Sequence, residues 1–255
     1  MPRHAGLVLA PVNAPKLPAR TFDVLANSLE IAFALIVVVA VPALSIVSTR
    51  QAEIRTMPRL ALYFSAVLSE WLLALVGGAV VLVASTRLSP AGFETCSPGA
   101  FAAWTSLLAG LALAGLGVVL VAERRGWLQP ESELVHLLMP STPKEKLWAA
   151  LVVAPTAGFC EEFLYRGFLL SVLSHWCHSV GWGWALSSVA FGLAHTYQGV
   201  SGVVRVMIMG ALLAWPAVHL GSLYPSMTAH FLIDAVALVW LGPRFLAASS
   251  HDESL

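Results

Sequence analysis

The chain is predicted to be an all-α, polytopic transmembrane helix bundle of about seven spans. Three observations carry this. Of its 255 residues, 58% are hydrophobic and 11% charged, whereas soluble domains carry about 25% charged residues. Mean hydropathy is +0.80. The charges also gather in short stretches between long apolar runs, each able to cross a bilayer core that needs about 20 apolar residues. With zero formal net charge and no basic patch, nucleic-acid binding is excluded as a function class. Cys96, Cys160 and Cys177 have no metal-knuckle or redox spacing.

Residues 1–25 hold Pro2, Pro11, Pro15 and Pro18 with Arg3, Lys16 and Arg20, a polar tail ill-suited to a continuous helix. Residues 26–143 form an N-terminal set of helices. The first run, about Ile31 to Ser48, lies too far in for an ordinary signal peptide and reads as a retained span. A second extends from about Leu60 to Thr86 with Glu70 inside it, and a third from about Ala100 to Ala122. The apolar patch Leu134–Met139, between Pro130, Glu131, Glu133 and Pro140, is too short to cross and suits the membrane interface. Thr142, Pro143 and Glu145 then make a helix start, with threonine as N-cap, proline at the first helical position and glutamate completing a capping box.

Residues 144–243 form the core that carries the chemistry. Its first helix runs from about Lys144 to about Leu173 with a kink expected at Pro155. Runs at about Trp182–Tyr197, Val206–Leu223 and Ser226–Leu241 follow, leaving 244–255 as a C-terminal tail. Distributing Lys and Arg over alternate sides puts Arg50, Arg55, Arg59, Arg124, Arg125, Lys144, Lys146, Arg205 and Arg244 on one face, and Arg3, Lys16, Arg20 and Arg87 on the other. By the positive-inside rule the C-terminus is cytoplasmic and the N-terminus outside.

Within this core, Cys160-Glu161-Glu162-Phe163-Leu164-Tyr165-Arg166 places two carboxylates and an arginine at membrane depth. Such groups are expensive there, about 2.5–3.5 kcal/mol on insertion scales, and usually serve a function. Glu162 and Arg166, four apart, can pair and support the helix. Glu161 points about 100° away and is free to act on water. His195 follows Phe191 by four residues, and Asp234 follows His230 by four. Three helices can thus bring Glu161, His195, His230 and Asp234 to one point.

The ordered set Glu161-Glu162-x-x-x-Arg166, Phe191-x-x-x-His195 and His230-x-x-x-Asp234 resembles the CPBP intramembrane endopeptidases, a family that includes the eukaryotic CAAX prenyl endopeptidase and bacterial bacteriocin-processing or immunity proteins. The resemblance covers about residues 144 to 242. It implies a glutamate-type protease in which Glu161 with His195 activates water, while His230 and its partner at position 234 stabilise the oxyanion. It also implies an integral multi-pass protein, of the bacterial inner membrane, acting on a peptide or protein with a membrane-associated segment. The CAAX endopeptidases have asparagine where this chain has Asp234. Since an ionised aspartate cannot donate a hydrogen bond, Asp234 is expected either to be kept protonated by burial or, the preferred reading because it needs no large pKa shift, to accept a hydrogen bond from His230 and so orient that imidazole.

Competing readings weigh against these residues in turn. Glu162 and Arg166 read as structural support, Phe191 as packing behind His195, and His175, His178 and His219 as interfacial or packing residues. Tyr165 reads equally as a hydrogen-bond partner of Glu161 or an interface aromatic. Glu70 is read as partner to a polar group on a neighbouring helix. A cysteine-protease role for Cys160 is disfavoured, because adjacent helical residues diverge. The glutamate mechanism needs no cofactor, yet Glu161, His195, His230 and Asp234 could also form a zinc site, so metal use is open. The alternative to an enzyme is a non-catalytic immunity factor or scaffold of the same fold. An ion transporter is weaker, for want of an internal repeat.

Overall fold

In the computed structural model, residues 19–83, 92–128 and 132–241 are described. Residues 1–18 with Arg3 and Lys16, 84–91 with Arg87, 129–131 with Pro130 and Glu131, and 242–255 with Arg244 and the C-terminal tail lie outside the described residues. The described chain is helical apart from short connections and one isolated bridge, Phe93 to Ser222. The all-α bundle is therefore observed.

Helix α1 (Ala19–Leu35) begins inside the segment read as tail and continues through a π-type turn, Ile36–Ala40, into α2 (Val41–Arg50). After a 3-10 turn at Ala52–Thr56 come α3 (Arg59–Val83) and α4 (Pro98–Arg124). The interfacial patch is the short helix α5 (Glu133–Leu138). The capping box then starts α6 (Pro143–Trp148) as expected: the Glu145 amide donates to Thr142 Oγ1, and the Thr142 amide to Glu145 Oε2.

From α6 the chain stays helical to Trp176. A π-type turn at Ala149–Val153 precedes Pro155, α7 spans Ala154–Glu162, a second π-type stretch covers Phe163–Leu169, and α8 spans Leu170–Trp176. Proline removes an amide donor and crowds the turn before it, which accounts for the first irregularity. The second follows the paired glutamates and was not legible in the sequence; such bulges gather at functional sites. Then come α9 (Val180–Ala194), a 3-10 turn at Thr196–Gln198, α10 (Gly199–Leu213), α11 (Trp215–Leu220) and α12 (Tyr224–Val236), the last running on as a π-type stretch to Leu241.

Among the described residues five helices are long and apolar enough to cross a membrane: Val24–Ser48, Arg59–Val83, Pro98–Glu123, Pro143–Trp176 and Thr196–Leu220. This is an integral, multi-pass membrane protein. The run expected at Trp182–Tyr197 forms a helix of 15 residues, only about 22 Å long against a core of about 30 Å. It stops because His195 leaves the helical conformation and Gly199 turns the chain with φ of 84°.

Contacts gather many of the basic residues at one end of the bundle. Arg59 donates to the Leu137 carbonyl and Ser141, Arg55 pairs with Glu133, Ser132 reaches the Tyr197 carbonyl, Thr196 reaches Ser45, and Arg205 pairs with Glu123 at 2.9 Å. At the opposite end, Gly92–Glu94 pairs with Gly221–Leu223. Helix α3 runs beside the Pro143–Trp176 helix in the same direction, with Tyr63 on the Leu138 carbonyl, Trp71 Nε1 on Thr156 Oγ1 at 3.2 Å, and Gly77 against Leu164.

Candidate active site

Close approach of α7 and α12 makes the site. A Cβ added at Gly158 would lie 2.8 Å from the Met227 carbonyl oxygen and 2.9 Å from the Phe231 amide nitrogen. Only a residue without a side chain lets the two backbones come this near, the small-residue packing of membrane helices. One turn further along, Glu161 and Glu162 face His230.

Glu162 is fully buried, and Arg166 is buried beside it with Nη1 3.2 Å from Glu162 Oε1. The expected pair is present. The same Oε1 accepts a 2.9 Å hydrogen bond from His230 Nδ1, which fixes the imidazole. Asp234, expected to orient His230, instead has Oδ2 3.6 Å from Nε2, beyond hydrogen-bond distance. The reason is positional: the i+4 spacing aligns Asp234 with the far nitrogen, while the near nitrogen turns across the helix interface to Glu162.

Glu161, partly exposed, has Oε1 3.8 Å from His195 Nε2 and Oε2 3.7 Å from His230 Nε2. Its carboxylate thus stands between two imidazoles. His195 Nδ1 lies 2.8 Å from the Phe191 carbonyl oxygen. A carbonyl only accepts, so Nδ1 carries the proton, and in the neutral ring Nε2 presents its lone pair to Glu161. Because this bond comes from the last turn of α9, the helix ending at Ala194 also sets the aim of His195.

Phe191 packs at the centre of the set. Its ring lies edge-on to Tyr165, His195 and His230, and the Arg166 guanidinium sits 4.1 Å above it. This is the packing role expected from the sequence, extended to four neighbours. Tyr165 is buried against Phe191 rather than placed at an interface. His175, His178 and His219 are exposed, the last stacked on Trp215. Cys160 is buried in the apolar core.

Glu70 departs from expectation. On α3, it lies within electrostatic reach of Glu161, Asp234 and His230. Among the described residues its Oε2, shielded from solvent, has no hydrogen-bond partner. An acidic residue inside an apolar run was visible in the sequence, but its destination was not, since no local spacing links residue 70 to residue 161. Among the described residues no group of three His, Cys, Asp or Glu side chains is arranged to hold a metal ion.

Against known families, residues 143–236 match the model described as type II CAAX prenyl endopeptidase Rce1-like. The matched segment opens at the capped start of α6 and closes at the end of α12, so it holds Glu161, Glu162, Arg166, His195, His230 and Asp234 and leaves out α1 to α5. It agrees with the CPBP resemblance read from the motifs and supports an intramembrane protease acting on a membrane-associated substrate. No curated protein and no solved structure matches the chain.

Proposed function

We propose that this protein is an intramembrane endopeptidase, of the bacterial inner membrane, that hydrolyses a peptide bond of a membrane-associated protein or peptide through a water activated by Glu161. The observation that carries the reading is the position of the Glu161 carboxylate, 3.7–3.8 Å from Nε2 of both His195 and His230. Those separations are too long for direct hydrogen bonds and suit a bridging water. A water there donates one hydrogen to Glu161 and the other to the His195 lone pair, leaving its own lone pair for a substrate carbonyl. As the water attacks, Glu161 takes its proton.

Oxyanion stabilisation falls to His230. Its Nδ1–H is held by Glu162, so it can donate to the oxyanion from Nε2 only as the imidazolium. Glu161, Glu162 and Asp234 surround the ring with the negative charge that suits a cation. Asp234 is then an electrostatic partner of His230, and the departure from asparagine is compatible with the chemistry. Arg166, through Glu162, holds the histidine in place. The name of the matched family supplies the first probe, a peptide with a prenylated CAAX terminus.

The test compares parent and Glu161→Gln proteins. Each is expressed in cells whose membranes are searched by mass spectrometry for new protein termini, and each is assayed on a peptide with a farnesylated CAAX terminus. New termini and peptide cleavage are expected with the parent, together with a loss of at least about 100-fold in the variant at unchanged membrane yield. Equal cleavage by Glu161→Gln would remove the glutamate mechanism. A parent that yields no new terminus in any membrane protein would favour the scaffold reading.

A further inference from the structure

The proposed reaction leaves one buried acid unused. Glu70 lies within electrostatic reach of Glu161, Asp234 and His230, and of Cys160, Tyr165 and Tyr197. Its helix is registered against α7 by the Trp71–Thr156 hydrogen bond and by Trp71 stacking on Phe159 at 5.4 Å. Beside this register the seam between α3 and α7 is unfilled. A cavity of about 260 Å³ begins at Trp71 and is lined by Ala74, Gly78, Phe159 and Phe163 among others.

Charge balance says what Glu70 carries. Three carboxyl groups, on Glu161, Glu162 and Asp234, face one arginine and two imidazoles, and a fourth, on Glu70, lies within their electrostatic reach. His195 must be neutral to present a lone pair, which leaves Arg166 and the His230 imidazolium as the cations. Four ionised carboxylates would then leave an excess of two negative charges in a membrane interior, where like charges sharing a site cannot all ionise. At least one proton stays behind. Glu161 faces two imidazoles, Glu162 an arginine and an imidazole, and Asp234 an imidazole. Glu70 alone of the four has no direct bond or ion pair to a cation among the described residues, and one of its oxygens has no hydrogen-bond partner.

We propose that Glu70 is a further catalytic residue, a neutral carboxylic acid supplied by α3 that protonates the leaving amine nitrogen. This rests on the endopeptidase reading. The water gives a proton to Glu161 as its oxygen bonds to the substrate carbonyl carbon. The carbon–nitrogen bond then breaks with its electron pair going to nitrogen, which takes the Glu70 proton and departs as the amine. The proton on Glu161 passes to the Glu70 carboxylate and restores both groups. The N-terminal helices, outside the matched family segment, thereby complete the site.

Two measurements test this. Cleavage of the farnesylated CAAX peptide and formation of new termini in membranes are followed for parent, Glu70→Gln and Glu70→Asp. The glutamine variant keeps the shape but has no proton to transfer, and is expected to lose about 100-fold in turnover with KM within threefold. Aspartate should recover part of the loss. Independently, the parent at neutral pH is treated with dicyclohexylcarbodiimide, which modifies protonated carboxyls in apolar surroundings, and the adduct is mapped by mass spectrometry. Labelling at Glu70 is expected. Turnover by Glu70→Gln within threefold of the parent, or a parent unlabelled at Glu70, overturns the proposal. An inactive parent instead overturns the endopeptidase reading itself, so the two failures are distinguishable, and the labelling needs no variant to fold.

Discussion

The span Pro98–Glu123, most of α4, and the helix Pro143–Trp176 are both long and apolar enough to cross a membrane, yet in the most apolar window of the first 17% of residues are buried and in that of the second 50%. Helix α4 presents Leu107, Leu111, Val118 and Val121 outward, and it carries no ionisable residue between Pro98 and Ala122. The other helix is ringed by α3, α9 and α12 and holds Glu161, Glu162 and Arg166. The difference teaches where a membrane protein can keep charge: a helix facing lipid must be apolar throughout, whereas one wrapped in protein can exchange hydration for pairing partners.

That contrast predicts a graded response to substitution. The largest effect is expected from Arg166→Ala, which strands the buried Glu162 carboxylate without its arginine and should destabilise the protein by about 3–5 kcal/mol, read as a lower melting temperature in detergent. An unchanged melting temperature would show that the pair contributes nothing and would break the comparison at its strongest point. Activity should fall as well, because Glu162 also holds His230.

Next in size is Gly158→Ala. The added methyl meets backbone atoms of Met227 and Phe231 rather than a yielding side chain, so α7 and α12 must separate at about 1–3 kcal/mol. The sharper readout is turnover, which should drop more than stability does, since the helix carrying His230 moves away from Glu161. Loss of stability with full activity would mean that the helix spacing does not set the site.

The smallest effect belongs to the lipid-facing helix. Val118 is 69% exposed on α4, and Val118→Ala should change stability by no more than about 0.5 kcal/mol. A loss comparable to that of Gly158→Ala would show that this face is covered by protein in the membrane, and α4 would then have to be counted with the interior helices.

Much of this contrast was legible in the sequence. Apolar run length announced five of the seven expected spans, the runs at 182–197 and 226–241 not being among the described helices long and apolar enough to cross. The threonine–proline–glutamate box announced the start at Pro143, and i+4 spacing announced the Glu162–Arg166 pair and the seat of His195 behind Phe191. All of these are local, fixed by helix geometry within a few residues. Reading failed where the partner lay on another helix. The run at 182–197 reads as a full span because apolarity persists to Ala194, and nothing local says that His195 leaves the helix there.

The sequence by itself determined that this chain is a membrane-embedded helix bundle and which residues could carry its chemistry, because hydropathy and helical periodicity are properties of contiguous residues. Only the tertiary structure decided which groups meet. It gave His230 to Glu162 rather than Asp234, stood Glu161 between two imidazoles, and set Glu70 of α3 within electrostatic reach of them. These outcomes depend on how closely and in what register separate helices pack, and a single glycine at position 158 has no meaning until the backbone it must touch is known.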